Sequence, residues 1–227
     1  MNKPTLLIKF GLREHLTDML KKGKLHCKSI KWFAEYEDGK LRGDEFEAVV
    51  KMQYMENNVI QLKEANNSNA QWKNLQVKTA LYKEYYKEPL GNLFCMSHFS
   101  VNEGIFKIDK RFSGFGGHFV LIHNQPEFFL RIERALTLIN LGFCRGEVEY
   151  LNLHTHSGEK RLYQKDNEFS FQQEYRVHLH RDFADTFEFP IGSIEDIATL
   201  HSCDDVKGFL IRKSGQFYEG SPLKEFG

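Results

Sequence analysis

Apolar and polar positions divide this chain into short segments. Thr5 to Phe10 (TLLIKF) is an apolar run closed by Gly11, which predicts a buried strand. Leu12, Leu16, Met19 and Leu20 then recur at helical spacing, so a short helix is expected over Leu12 to Lys22, with Gly23 as its stop. Leu25 to Ile30 reads as a second strand, and the charged stretch Tyr36 to Glu47, with Gly39 and Gly43, as a loop. Val49 to Tyr54 and Val59 to Glu64 flank Met55-Glu56-Asn57-Asn58 and predict a hairpin. In Asn69 to Glu88, Trp72, Leu75, Thr79, Tyr82 and Tyr86 fall on one stripe and predict a helix ended by Pro89 and Gly91.

Further on, strands are expected at Leu93 to Ser97 and at Gly117 to His123. Asn124 and Pro126 mark the start of a helix running to about Leu141. Glu147 to Leu153, Tyr175 to Leu179, Phe187 to Ile191 and Phe209 to Ile211 read as strands, and Ser193 as the cap of a short helix over Ile194 to Ala198. Strands outnumber helices without strict interleaving. The expected fold class is therefore α+β, one domain over residues 1–227, with a mainly antiparallel split sheet flanked by helices. No repeat, low-complexity tract or Pro/Gly/Ser linker interrupts it.

Composition narrows the function classes. Apolar residues make up 41% and charged residues 27%, and 31 basic residues balance 31 acidic ones. A neutral total argues against a protein that coats nucleic acid, because phosphate affinity needs clustered Lys and Arg. No G-x-G-x-x-G follows the first strand and no G-x-x-x-x-G-K-[ST] occurs, which argues against a Rossmann or P-loop nucleotide site. Cys27, Cys95, Cys144 and Cys203 are widely spaced with no C-x-x-C pair, so buried free thiols in a reducing cytoplasm are expected. The apolar run near the N-terminus is too short for a signal-peptide core and no segment approaches a membrane span, so a cytoplasmic protein that meets no membrane is expected.

Lys165 to Arg176 (KDNEFSFQQEYR) carries the densest chemistry. Read as a strand, it projects Gln172, Glu174 and Arg176 from one face and Phe171, Gln173, Tyr175 and Val177 from the other. A Gln-x-Glu pair suits chemistry at a ribosyl C1′: the carboxylate binds a ribose hydroxyl and stabilises an oxocarbenium-like centre, while the Gln orients a second reactant. The plainer reading is an edge strand whose Glu and Arg form a surface ion pair. Two H-x-H pairs, His154/His156 and His178/His180, offer four imidazoles for a transition metal if their strands adjoin. No Cys or carboxylate stands at ligand spacing to them, so no metal is expected and the pairs are not expected to hold stoichiometric zinc. The aromatic stripe of Trp72, Tyr82, Tyr85 and Tyr86 reads as core and interface.

Four blocks in order resemble a bacterial family of uncharacterised cytoplasmic domains thought to share the ADP-ribosyltransferase fold. LIKFG with KKGKLHCKSIKWF is similar to the family's opening strand, helix and second strand. LRGDEFE matches an Asn-Asp-Pro-aromatic-Glu segment at Asp44, Phe46 and Glu47, with Gly43 and Glu45 in place of the Asn and Pro. LFCMSHFS with FSGFGGHFVLIHN, and EVEYLN with KDNEFSFQQEYRV, complete a likeness spanning about Leu6 to Val177. The resemblance implies a cleft for NAD as substrate. Lys9, Phe10, Ser97 or Ser100, and Arg176 would hold the dinucleotide, and Glu174, Gln172 and Lys9 would be catalytic. Lys9 stands where active enzymes commonly have Arg or His, and no Ser-Thr-Ser triplet is present. It further implies a toxin or phage-defence effector that modifies a protein or nucleic-acid acceptor, with an antitoxin or other defence partner. A non-catalytic module of the same fold and a metal-dependent hydrolase or nuclease are the alternatives. With Glu174 facing solvent, Glu174→Gln would spare the fold. Asp44 and Glu47, by composition alone, belong to a solvated loop.

Overall fold

The computed structural model describes residues 5–36, 41–66, 68–88, 91–102, 104–214 and 217–223. The chain opens with β1 (Thr5–Leu12), α1 (Arg13–Lys22), β2 (Lys24–Ser29) and α2 (Ile30–Glu35). Next come β3 (Val49–Leu62), β4 (Lys73–Tyr85), β5 (Asn92–Ser100), β6 (Gly104–Lys107) and β7 (Gly117–Ile122). Helix α3 (Gln125–Leu138) leads to β8 (Phe143–Glu147), β9 (Glu149–Leu151), β10 (Gly158–Glu159) and β11 (Gln164–Asp166). The last strands are β12 (Glu174–Leu179), β13 (Phe187–Pro190), β14 (Ala198–Ser202), β15 (Gly208–Ser214) and β16 (Phe217–Leu223).

Eight strands form the main sheet, and every pairing in it is antiparallel. Its layout is a fork. β8 and β12 lie on one side of β5, while on the other side β5 meets two branches, β1-β7-β14 and β2-β13. Both faces are buried. Leu7, Phe94, Met96, Val177 and Leu179 meet α1 and α3 on one face, whereas Ile8, Phe10, Phe99, Phe112 and Phe119 form a Phe-rich core on the other. This alternation is what period-2 side-chain placement requires of a two-sided strand.

Local rules account for the helix ends. In α1, Leu16 and Met19 face the core, and Gly23 closes it with φ +63° and an N–H donated to the Asp18 carbonyl. A Cβ at Gly23 would come within 1.8 Å of the Gly192 carbonyl oxygen, so the stop is steric as well as conformational. In α3, Asn124 Oδ1 accepts the Glu127 N–H, and Phe128, Ile132 and Leu136 form the buried stripe at four-residue spacing.

The structure corrects four expectations. Val49 to Leu62 is one continuous strand, not a hairpin, and 69–88 holds a strand, not a helix. Paired from Val49↔Tyr85 to Leu62↔Lys73, β3 and β4 make a long two-stranded ribbon. The helical stripe also fits a period of two through Leu75, Val77, Thr79 and Leu81, and β-branched residues with a continuous partner strand favour that reading. Asn57 is left-handed at φ +49°, yet pairing continues on both sides of it, Glu56↔Thr79 and Asn58↔Val77, so the ladder runs through the expected turn. Trp72, Tyr82, Tyr85 and Tyr86 are exposed and not core, because only the base of the ribbon packs, through Val49 and Met52 on Phe46 and Leu153. Residues 195–197 form a turn into β14 in place of the expected helix, Ile197 closing it by an N–H donated to the Ile194 carbonyl.

Candidate functional site

The fork makes the cavity. Beyond the Ile8↔Ser97 pair, β1 leaves β5 and runs on with β7 alone, from Lys9↔Val120 to Leu12↔Gly117. β2 rejoins β5 only at Lys28↔Leu93 and Ser29↔Asn92. Phe94, Cys95 and Met96 are paired to β12 on one side and open to the fork on the other. Backbone carbonyls left in such a gap need partners. Lys9 supplies one: its Nζ donates to the Cys95 carbonyl at 2.6 Å and lies 4.7 Å from the centre of the Phe94 ring. Burial pushes the Lys9 ammonium below its ordinary pKa.

The space between the branches is a cavity of about 420 Å³, within the usual range for small-molecule sites. Phe10, Trp32, Phe33, Tyr36, Phe112 and Phe115 give it aromatic walls. Lys9, Lys24, Lys28, Arg42 and Lys165 bring positive charge, and Glu174 is the one carboxylate among the described lining residues. Helix α1 contributes Leu16 and Met19, so the helix joining the two branches also closes the cavity. The 3-10 turn at Lys110–Phe115 delivers Phe112 and Phe115.

Beneath it lies a buried charge cluster. Arg176, 1% exposed, bonds Glu47 through both carboxylate oxygens at 2.7 and 2.9 Å, and donates to Glu174 Oε1 at 2.8 Å. Lys165 Nζ donates to Glu174 Oε2 at 3.2 Å and to Gln172 Oε1 at 3.0 Å. The Glu174 N–H donates to the Tyr150 hydroxyl at 2.8 Å. Burial alone would raise the Glu174 pKa, but the Arg176 and Lys165 cations outweigh it and hold the carboxyl well below the usual range. Asp44 is the opposite case: burial and nearby Glu47 push it up to about 6. Its Oδ1 accepts the Phe46 N–H, whereas Asp44 Oδ2 and Lys160 Nζ are buried without a hydrogen-bond partner.

Lys9, Phe10, Ser97, Gln172 and Glu174 all line the cavity, and Ser97 stands directly across from Glu174 in the β5–β12 register. The rest fall elsewhere. Ser100 is exposed at the far end of β5, opposite Thr5, and does not line the cavity. Arg176 does not reach it either, since its guanidinium is taken up by Glu47, Glu174 and the Leu162 carbonyl. Gln172 ends a 3-10 turn (Asn167–Gln172) and Gln173 is left-handed at φ +39°, so Gln172 and Glu174 do not share a strand face by alternation. Gln172 is tied at both ends of its amide, donating to the Leu41 carbonyl at 2.8 Å. The Glu174–Arg176 pair is a core contact rather than a surface one, and Asp44 and Glu47 are buried rather than solvated.

His154 lies in a 3-10 turn (Leu153–Thr155), with His156 capping its end and facing the Glu159 carbonyl, so these two do not meet His178 and His180. Sequence spacing missed Cys144, which β8 places opposite His178 and which is exposed rather than buried. It also missed Lys165 and Lys160, whose burial among carboxylates no local pattern signals. No helix among the described residues is long and apolar enough to cross a membrane. Compared with protein-family models, with curated proteins and with solved structures, the chain matches none of them.

Proposed function

We propose that the fork cavity binds NAD and that the protein transfers ADP-ribose from it to a protein or nucleic-acid acceptor. The observation that carries this reading is the meeting of Lys9, Ser97 and Glu174, from three neighbouring strands, at one cavity walled by aromatics and cations. Such a lining suits a ligand with aromatic rings and a pyrophosphate: rings stack on the walls, and Lys9 and Arg42 hold the phosphates. Glu174, kept ionised by Arg176 and Lys165, faces the ribosyl cation as the C1′–nitrogen bond breaks. Nicotinamide leaves with that bond's electron pair, and an acceptor nucleophile adds to C1′ and gives up its proton. A toxin or phage-defence role, with an antitoxin or other defence partner, rests on the sequence resemblance alone.

One observation favours a second reading, a binding module without turnover. Both Glu174 oxygens already accept from cations, and Lys9 is committed to the Cys95 carbonyl, so neither group is idle in the unliganded site. The test is nicotinamide release from NAD by the wild-type protein across a range of acceptors, with NAD-induced thermal stabilisation measured in parallel. Release supports transfer, stabilisation without release supports the module, and neither removes NAD from the cavity.

A further inference from the structure

Among the described residues, one set of three His, Cys or carboxylate donors converges with its ligand atoms within 4.8 Å of one another: Cys144, His178 and His180. The antiparallel register explains the convergence. Cys144 of β8 sits directly opposite His178 of β12, and His180, just past the strand end, is two residues further along. Side chains two apart on a strand share a face, so a thiol and two imidazoles point into the same space.

The distances carry the argument. Cys144 Sγ lies 3.7 Å from His178 Nδ1 and 3.5 Å from His180 Nε2. In a tetrahedral zinc site, Zn–S of about 2.3 Å and Zn–N of about 2.0–2.1 Å place sulfur and nitrogen about 3.6 Å apart. Both sulfur–nitrogen separations therefore already match the edge of a zinc tetrahedron. Two glycines seat the rings. A Cβ at Gly91 would approach His178 Nε2 to 2.6 Å, and one at Gly142 would approach His180 Nδ1 to 3.1 Å, so the imidazoles occupy room that only glycine leaves. A thiolate sulfur and two imidazole nitrogens facing one point can all offer lone pairs to a single divalent metal. Tyr163 Oη, 3.2 Å from the sulfur, is placed to donate to a metal-bound thiolate, the kind of outer contact that orients a ligand.

We propose that Cys144, His178 and His180 form a zinc site with a fourth position open to solvent. The ligand set of one thiolate and two imidazoles selects zinc or another borderline-soft transition metal over calcium or magnesium. The metal would clamp β8, which among the described residues pairs only with β12, onto the strand that carries Glu174 and Arg176. This proposal stands independently of what the fork cavity binds.

Zinc titration of the metal-stripped full chain is expected to show one equivalent bound with Kd below about 1 µM, accompanied by a rise in Tm. Cobalt(II) in its place is expected to give thiolate charge-transfer absorption. Cys144→Ala and His180→Ala, at exposed positions that leave the core untouched, should each weaken binding at least tenfold, and the cobalt band should vanish in Cys144→Ala. His154→Ala and His156→Ala serve as controls and should bind as wild type does. Binding weaker than about 10 µM, or an affinity unmoved by Cys144→Ala, would overturn the site.

Discussion

Glu174→Gln tests whether the floor of the cavity is a charge cluster or a set of neutral hydrogen bonds. Gln is nearly isosteric with Glu, so packing is retained and the electrostatic change is isolated. The amide oxygen can still accept from Arg176 Nε, now at 2.8 Å, but the amide nitrogen then faces Lys165 Nζ, now 3.2 Å from Oε2, donor against donor. Lys165 and Glu174 are 3% and 6% exposed, so Lys165 loses its charge partner in a largely desolvated position and keeps only the neutral Gln172 oxygen as a side-chain hydrogen-bond acceptor among the described residues. Breaking a buried pair by removing one charge costs about 3–5 kcal/mol, and the retained Arg176 bond places this variant near about 3 kcal/mol. For a chain of this size that corresponds to a Tm lower by about 6–12 °C. The fold-sparing outcome expected for a solvent-facing Glu174 is thus replaced by a measurable loss.

The pH dependence supplies the sign. Glu174 has a folded pKa depressed below its unfolded value, because Arg176 and Lys165 favour the ionised form. Its contribution is therefore fully present above the unfolded value of about 4.3 and is lost as pH falls below it. The Tm gap between wild type and Glu174→Gln should be constant from pH 8 to pH 6 and should narrow below about pH 4. Adding Lys165→Met to the variant should restore part of the loss, since it removes the orphaned cation. A Tm within about 2 °C of wild type at pH 7, or a gap that does not change with acid, would refute the reasoning.

Asp44 should behave in the opposite sense, because its folded pKa is raised to about 6 from 3.8. Its ionisation then costs stability as pH rises through that window, by about 3 kcal/mol, so Asp44→Asn should melt above wild type at pH 7–8 and lose the advantage near pH 4. Ser97→Ala removes one hydroxyl from the cavity wall; its Tm should stay within about 2 °C of wild type, while any NAD-induced stabilisation shrinks in a thermal-shift titration. Gly23→Ala forces a Cβ against the Gly192 backbone in a left-handed conformation and should cost at least about 2 kcal/mol by urea unfolding.

Elements fixed by local pattern were legible in the chain. The runs Thr5 to Phe10, Gly117 to His123 and Tyr175 to Leu179 read as strands and fall on β1, β7 and β12, although β1 runs on to Leu12, which helical spacing assigns to the helix; α3 reads from Asn124 and Pro126. The ribbon was not legible, because Leu75, Thr79 and Tyr82 satisfy a helical spacing as well as an extended one. The decision lies in the partner strand, more than ten residues away. The same limit governs charge. Asp44 and Glu47 sit in a polar stretch with every local mark of a solvated loop, yet Glu47 is bidentate to Arg176, 129 residues along the chain. Gln172 misled in a subtler way, since it reaches the cavity through a left-handed residue at 173 and not through strand alternation.

A fork in a sheet creates a demand as well as a space. Where β1 and β2 part, the β5 backbone at Phe94 to Met96 loses its neighbour on one side. An apolar side chain at position 9 would leave the Cys95 carbonyl unpaired; a cation both pairs it and brings charge to the cavity wall. Opposite, Glu174 enters the same cavity from β12, and its charge is tolerable there only because Arg176 and Lys165 stand behind it. Arg176 in turn needs the second carboxylate of Glu47, which explains why a polar segment preceding β3 is drawn into the interior. The separation of the two branches therefore accounts for the cavity, the half-buried lysine at its wall and, through Glu174, the ionic cluster beneath. A substitution anywhere along that chain of partners should therefore be felt at the cavity, whose wall holds Lys9 and Glu174 and whose floor rests on Arg176 and Lys165.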